Sequence, residues 1–555
     1  MKVHLLYPDR DSDWRWVSRA AELREAQRTG RRAHDLADFR PDDVLPWNTD
    51  ALIHDFGLDA LFAAAAGEAD DVFVTVRREL LTGPGNALET ILYRQAMLRD
   101  ALAHAETVRA LHALAAETVA EHRRHFLGHL SRDYPDTVLR WAIDLLRASL
   151  GLIERLRAIA ADKGAGFEAP GWRRFFAMIE TDLNETYVAE LGHQLDALRM
   201  RDGVALSAAL GDGNRFEDYR LHEPLVRDLT WFQRLLRRWF PSFFKEEEGR
   251  FGFSVAPSDE SGNRALREFS NRGIAIAARA LGEAATHIRD FFETLQAETA
   301  FYVGCATLHE QLAASGLATC IPDMTRTAPA LRCEGLYEPS LGMALKAGVV
   351  GNAVDADGAT LIVITGANQG GKSTLLRALG VAQLMAQCGM FVAADAYAAS
   401  LVPALASHYK REEDTALASG KFDEELARMS EIVDHFQPGL LLLCNESFAS
   451  TSEREASDVA DGVIETLRKA GARVIFVTHL YEYAHDAAER GDPASLFLRA
   501  ARDETGQRSF SLAPGMPLRT SFGEDLYRRI FGEAIPALSQ ERSAPRDAAL
   551  TESGD

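Results

Sequence analysis

The sequence has only five cysteines, Cys305, Cys320, Cys333, Cys388 and Cys444, and no two of them stand as C-x-x-C or at zinc-site spacing. That excludes a disulfide framework and a thiolate metal site, and predicts reduced, buried thiols in a cytoplasmic protein. There is no apolar run approaching ~18 residues, which excludes a membrane-spanning helix. The opening MKVHLLYPDRDSDW turns charged too early for a secretory leader. Positive charge is also short: 61 Lys and Arg stand against 82 Asp and Glu, a net charge of −21. Dividing the chain near residue 345 leaves both halves acidic, by about ten charges each. A global electrostatic footprint for nucleic acid is therefore missing, and any DNA contact must come from a local patch.

What is present is an ordinary globular composition, 47% hydrophobic and 26% charged, in 555 residues, enough for two or more domains. One stretch organises the rest. Leu361–Thr374, LIVITGANQGGKST, runs a β-branched apolar strand through a glycine turn into a helical pattern. The turn reads G-x-x-x-x-G-K-S from Gly366 to Ser373, the form of a phosphate-binding loop. Gly366, Gly370 and Gly371 let the backbone fold tightly, so that N–H groups along Ala367, Asn368 and Gln369 can face phosphate oxygens. The following helix adds the positive end of its dipole. Lys372 is expected to reach the β- and γ-phosphates of ATP. The Ser373 hydroxyl is expected on Mg²⁺, with Thr374 beside it.

Two further strand tips complete the expectation. LLLLCNES, Leu440–Ser447, is a buried strand ending in polar residues. ATPases of this kind place Asp then Glu there, for the metal shell and for the attacking water. Here the pair is Asn445 and Glu446, so slower turnover or weaker Mg²⁺ binding is expected. RVIFVTHL then places His479 past a third strand, where it can sense the γ-phosphate. Taken alone, a histidine is more often structural, and Glu446 could be an ordinary exposed carboxylate.

Upstream of Cys333 the pattern is mainly helical. A short strand is expected at Val3–Tyr7, and the basic run Arg24–Arg32 reads as a solvated face. Helical spacing marks Leu88–Ala120, Asp136–Ala161 and Glu168–Leu198. Val204–Leu221 reads as a β-rich insert or a loop. Leu229–Phe253 interleaves Trp231, Phe232, Trp239 and Phe240 with Arg234, Arg237 and Arg238. That pattern suits contact with single-stranded or distorted DNA, but it fits an amphipathic core helix with snorkelling arginines better, and the adjoining Glu246–Glu248 run argues against a phosphate groove. Glu283–Ser315 reads as one long helix, either a lever or an ordinary bundle helix. From Cys333 onward strands and helices alternate, as in a parallel α/β sheet. Candidate buried strands are Leu361–Thr365, Leu440–Cys444 and Arg473–Thr478, with a closing hairpin, Leu496–Ala500 and Arg508–Leu512. The expected organisation is an N-terminal segment over 1–60, a helical lever region over 61–330, an α/β ATPase domain over 331–535 and a disordered tail over 536–555.

These motifs together resemble the MutS family of DNA mismatch-repair ATPases, whose ATPase domain is of the ABC class. GANQGGKST is similar to that family's G-P-N-M-G-G-K-S-T, with Asn368 matching its loop asparagine. Asn445-Glu446 sits where the family has Asp-Glu. SFASTS keeps Thr451 and Ser452, and VTHLYEYA carries His479. SGKFDEELARMSEI supplies Phe422, Glu425 and Glu431. The ending with Gly515, Ser521 and Gly523 is similar to the family's last hairpin and turn. The resemblance implies ATP and Mg²⁺ as cofactors and a homodimer through the ATPase domain. It also implies binding to irregular or branched DNA. The family's serine that touches the partner subunit's nucleotide aligns with Gly420, leaving Ser419 as the nearest substitute. Two parts of the family pattern have no counterpart: the Phe-x-Glu mismatch reader and the aromatic that stacks on adenine, for which Val349–Asn352 offers none. No Smr nuclease domain is recognised. The rival reading is an ATP-switched scaffold that binds protein rather than DNA. A transporter ATPase subunit fits less well, given the fused helical region.

Overall fold

The computed structural model describes residues 1–30, 41–124, 135–198, 205–210, 216–222, 260–327, 329–346, 348–367, 370–411, 420–502 and 508–518. The stretch Leu229–Phe253, the tail beyond 535, Ser521, Gly523, Ser419, Asn368 and Gln369 lie outside these residues. The chain divides into two units. One comprises Met1–Trp47, Asp59–Ala314 and Met385–Phe391; the other comprises Asn48–Leu58, Ser315–Leu384 and Val392–Asp555.

The first unit is helical and is built around one helix, Glu260–Ala314. Its 55 residues span roughly 80 Å at 1.5 Å per residue. It is longer than the expected Glu283–Ser315. Ile274 and Ala278 are buried in its first half, but exposed Ile276 and the alanines around it blur the stripe that is plain from Ile288 onward. Helices Trp14–Thr29, Asp70–Leu81, Ala105–Arg124 and Pro135–Lys163 pack against it. Phe291, Phe292, Leu295, Phe301, Tyr302, Leu308 and Leu312 form its buried face. The expected helical stretches divide at caps: Leu88–Ala103 precedes Ala105–Arg124, and Pro170–Asp182 precedes Glu185–Ala197. The ambiguous insert is a hairpin, β1 (Ala205–Leu210) antiparallel to β2 (Phe216–His222).

Val3–Tyr7 is not a strand. Val3, Leu5 and Leu6 are buried as expected, but the backbone groups bond to side chains instead of a ladder. The Glu298 carboxylate accepts from Leu5 N at 2.5 Å and Ser12 N at 2.7 Å. Tyr93 Oη donates to His4 O and Tyr302 Oη to Leu5 O, both at 2.6 Å. With Asp11 accepting from Val3 N and Arg94 donating to Leu6 O, polar side chains here meet the pairing requirement that sheet partners usually meet.

The second unit is α/β. A small sheet orders β3 (Asp323–Thr325), β7 (Ala396–Ser400), β4 (Leu331–Leu336) and β5 (Asn352–Asp355). The main sheet runs β12-β11-β6-β10-β9-β8. Here β6 is Leu361–Thr365, β8 Leu405–Tyr409, β9 Leu441–Asn445, β10 Arg473–Val477, β11 Ser495–Arg502 and β12 Arg508–Pro514. All neighbours are parallel except β12, which pairs antiparallel with β11. This mixed edge is common on parallel sheets covered by helices. The continuous apolar runs of β6, β9 and β10 follow from burial on both faces. Helices Lys421–Asp434 and Glu453–Lys469 contribute Met429, Ile432, Ala456, Ala460 and Ile464 to the core over one face. Helix Thr49–Phe56 also belongs to this unit: Asn48 Nδ2 donates to Leu405 O at 2.9 Å, and Ser407 Oγ donates to the buried Asp55 at 2.7 Å.

Candidate nucleotide-binding site

The sheet order sets β6 beside β10, and β10 beside β9. Three strand ends therefore open on one edge: the glycine turn after β6, Asn445-Glu446 at the end of β9, and His479 after β10. Ligands of parallel sheets collect at such carboxyl ends. The turn itself requires glycine. Gly366 has φ +118°, and a Cβ there would meet the Ala500 backbone nitrogen at 3.0 Å. Gly371 has φ +88°, with the Phe510 carbonyl 3.2 Å from where its Cβ would lie. The β11–β12 hairpin thus presses on the turn from one side, and the helix Lys372–Gln387 continues from it.

The side chains converge as the motif spacing implied. Lys372 is almost fully buried and folds back on the turn, its Nζ donating to Gly366 O at 2.9 Å and Ala367 O at 3.0 Å. Burial pulls the Lys372 ammonium down to about 8, against the opposing attraction of Glu446. Ser373 Oγ donates to Asn445 Oδ1 at 2.9 Å, linking the loop helix to β9 across 72 residues of sequence. Glu446 Oε1 lies 3.0 Å from His479 Nε2. The hydrogen bond from His479 holds the Glu446 carboxyl below its ordinary range, outweighing burial, and Lys372 and Lys410 add to the effect. Ala367, Gly370 and Thr374 lie in the same turn and first helical turn.

Glu446 has φ +54° and Phe448 has φ +66°, a left-handed backbone that non-glycine residues adopt only when their surroundings impose it. Here the surroundings are a buried buttress that the sequence did not reveal. Glu446 N donates to Val477 O at 2.8 Å. Below it, the fully buried Phe448 stacks on His408 with ring centroids 5.7 Å apart. His408 contacts Ser447 Oγ at 2.7 Å through Nδ1 and Glu425 O at 2.9 Å through Nε2. A carbonyl can only accept, so Nε2 carries the proton, while the Ser447 hydroxyl, whose Oγ lies 2.7 Å from both Nδ1 and the His408 carbonyl, has one proton for the two acceptors. Burial, with Arg428 adding to it, depresses His408 to about 4 and keeps this ring neutral. Glu425 in turn accepts from Ser450 Oγ at 2.7 Å. A histidine inside a short strand carried no sequence signal for this role.

Next to the first helical turn lies an apolar cavity of about 390 Å³, lined by Tyr337, Leu341, Leu345, Val350, Leu375 and Phe510. Val349–Asn352 contributes no aromatic to it, as the sequence implied. Phe510 supplies one from the far hairpin. Asn352 fixes that wall: its Oδ1 accepts from Leu512 N at 2.8 Å, and its Nδ2 donates to Phe510 O at 3.4 Å.

The donor set is compatible with Mg²⁺ but lacks the carboxylate such a site usually supplies: the Ser373 hydroxyl and the Asn445 amide oxygen are neutral hard oxygens meeting beside the glycine turn. Replacing Asn445 by Asp keeps the acceptor for Ser373 and adds a full charge. Turnover in Asn445→Asp is expected to rise roughly 3- to 10-fold, with a lower Mg²⁺ requirement, measured as steady-state phosphate release across MgCl₂. A flat or lower rate would show the asparagine to be tuned.

A parallel sheet with a glycine turn running from a central strand into a helix, and polar tips on the two strands next to it, defines an α/β domain of the P-loop type. Family comparison narrows the class. Residues 86–315 match the model for the MutS2 N-terminal domain, and residues 362–516 match the model for MutS domain V. Curated relatives include DNA mismatch repair protein MutS of Chloroflexus aurantiacus, 29% identical over 204 residues, 34% of this chain and 21% of that one. The Myxococcus xanthus protein of the same name is 33% identical over 203 residues, 35% of this chain and 22% of that one. The chain therefore spans about a fifth of the length of these relatives. The chain is a MutS-like protein.

Proposed function

We propose that this protein is an ATP-hydrolysing, DNA-binding MutS-like ATPase of the ABC type, acting as a homodimer on irregular or branched DNA in repair or recombination. The observation that carries the reading is the convergence of Lys372, Ser373, Asn445, Glu446 and His479 on one glycine turn. The turn from Gly366 to Gly371, Asn368 and Gln369 included, holds the phosphates together with Lys372 and Thr374. The base seats in the apolar cavity against Phe510. Ser373 and Asn445 would hold Mg²⁺, which would supply positive charge to offset the negative charge developing on the phosphates. Glu446 orients the attacking water, and His479 reads the γ-phosphate through the Glu446 carboxylate. Ser419 completes the partner subunit's site. The organisation proposed with this reading is a segment 1–60, a lever region 61–330, an ATPase domain 331–535 and a tail 536–555. The long helix Glu260–Ala314 serves as lever, moved by closure of the ATP-bound dimer.

The net charge of −21 favours a second reading, an ATP-switched scaffold for protein partners. One experiment tests both. Glu446→Gln is expected to cut hydrolysis by about 100-fold or more while leaving ATP binding intact. That variant, loaded with ATP, is then filtered with duplex, branched and mismatched DNA across a salt series. Retention that depends on ATP and falls steeply with salt supports DNA as the target. Absence of retention at low salt, with hydrolysis lost as expected, supports the scaffold.

A further inference from the structure

The helical unit contains a second cavity, of about 220 Å³, between the helices Trp14–Thr29, Asp70–Leu81, Ala105–Arg124 and the long helix. Its charged wall is Glu22, Glu25, Asp70, Asp71 and Glu293, against the single cation Arg123. Two of these acids are already satisfied. Asp70 pairs with Arg24 at 3.2 Å and Arg28 at 3.0 Å, and Asp71 accepts from His112 at 3.0 Å and Gln296 at 2.7 Å.

Glu293 is different. It is only 9% exposed, yet among the described residues it has no hydrogen-bond or ion-pair partner. Neither neighbouring cation hydrogen-bonds it, though both attract it: Arg123 donates to Ser18 Oγ at 2.8 Å, and Arg289 pairs with Asp290 at 2.9 Å. Burial, opposed by these two arginines, raises the Glu293 carboxyl to about 7. A buried carboxylate without a donor is costly, so a donor from outside the fold would find it ready. Trp14, Val17 and Ala297 give the cavity an apolar side for a methylene stem. Among the described residues no group of His, Cys, Asp and Glu is arranged to hold a metal ion.

From this we infer that the cavity is a binding site for a guanidinium cation, seated on the Glu293 carboxylate with Glu22 and Glu25 at its mouth. The fit is chemical: a planar guanidinium offers several donors to carboxylates and to the Gln296 carbonyl oxygen, whose amide nitrogen is already used on Asp71. The cavity holds such a head and a short stem, not a nucleotide, and its charge repels phosphate. The cation is either a free small molecule or the arginine side chain of a partner protein.

Calorimetric titration of the full chain tests the inference, with agmatine, an end-blocked Gly-Arg-Gly peptide and MgCl₂ as probes. Agmatine or the peptide is expected to bind saturably at one site per chain. Tighter binding of the peptide assigns the site to a partner's arginine, and tighter agmatine binding to a free metabolite. Glu293→Gln is expected to weaken binding by about tenfold or more and to melt no lower than the parent. Glu22→Lys, an exposed change that leaves the core alone, places a like charge at the mouth and is expected to weaken binding comparably. Absence of saturable heat with both organic cations overturns the inference. So does equal affinity in both variants, or equal competition by Mg²⁺, which would mean general screening of an acidic surface.

Discussion

Lys372→Ala is expected to lower ATP affinity by about 100-fold or more and to abolish turnover. The expectation rests on what the ammonium does in the structure. It is nearly sealed from solvent and spends its donors on the Gly366 and Ala367 carbonyls. Those carbonyls belong to the turn proposed to hold phosphate, so a triphosphate oxygen would only have to replace them to gain a charge-assisted bond. Such bonds are worth about 1.5–3 kcal/mol each, and the helix dipole adds to the same charge. A second loss accompanies the first, because without the ammonium the two carbonyls lose their tether and the turn its arrangement. Fluorescent-nucleotide titration measures the affinity, and unchanged affinity would remove the site assignment. A pH series separates charge from tethering. Burial brings Lys372 to about 8 in the free protein. The protonated form is the one that binds phosphate, so affinity in the unsubstituted protein should fall as pH rises through that value. Lys372→Ala should lack that fall.

The convergence of this site was legible in the sequence because it depends on local words. A β-branched run, a glycine turn, and strand tips ending N-E and T-H each carry their meaning within ten residues. Parallel sheets bury both faces of their strands, so β6, β9 and β10 stand out as unbroken apolar runs. What the sequence concealed is what depends on distance. Phe510 reaches the apolar cavity only because Asn352, 158 residues earlier, ties down its strand. His408 supports Glu446 from a neighbouring strand through Ser447, and nothing around it suggests more than a buried strand residue. Val3–Tyr7 has a strand's composition, yet its backbone partners are side chains, Asp11 nearby and Glu298, Tyr302, Tyr93 and Arg94 far away in the chain. The first half of the long helix was hidden for another reason. Alanine and glycine dominate Gly273–Ala285, and small residues blur the apolar spacing by which a helix is recognised.

Glu79→Ala is expected to be among the most destabilising single substitutions in the helical unit, costing about 3–5 kcal/mol. Glu79 is fully buried between two arginines. Its Oε1 accepts from Arg78 at 2.8 Å, and its Oε2 accepts from Arg94 at 2.7 Å and from Tyr7 Oη at 3.1 Å. Arg94 is equally buried and uses its remaining donors on Leu6 O at 3.0 Å and Cys388 O at 3.1 Å. Burial alone would raise the Glu79 carboxyl, but Arg94 and then Arg78 overcome it and bring it down to about 2. Deleting the carboxylate leaves two guanidinium groups in the interior with nothing to neutralise them. A loss of that size is a large fraction of a typical folding free energy of about 5–15 kcal/mol. Urea unfolding followed by far-UV circular dichroism measures it, and a loss below about 1 kcal/mol would show that water reaches the arginines. The same coupling sets an acid limit. Because the folded pKa lies below the ordinary 4.5, the stabilisation is complete above that value and is lost as pH falls toward 2. Glu79→Gln should flatten that part of the acid-unfolding curve. Replacing Arg78, Glu79 and Arg94 together by apolar residues would remove the buried charges but still strand the Leu6 and Cys388 carbonyls. Recovery in the triple variant should therefore be partial, and the shortfall measures what Arg94 contributes as a donor rather than as a charge.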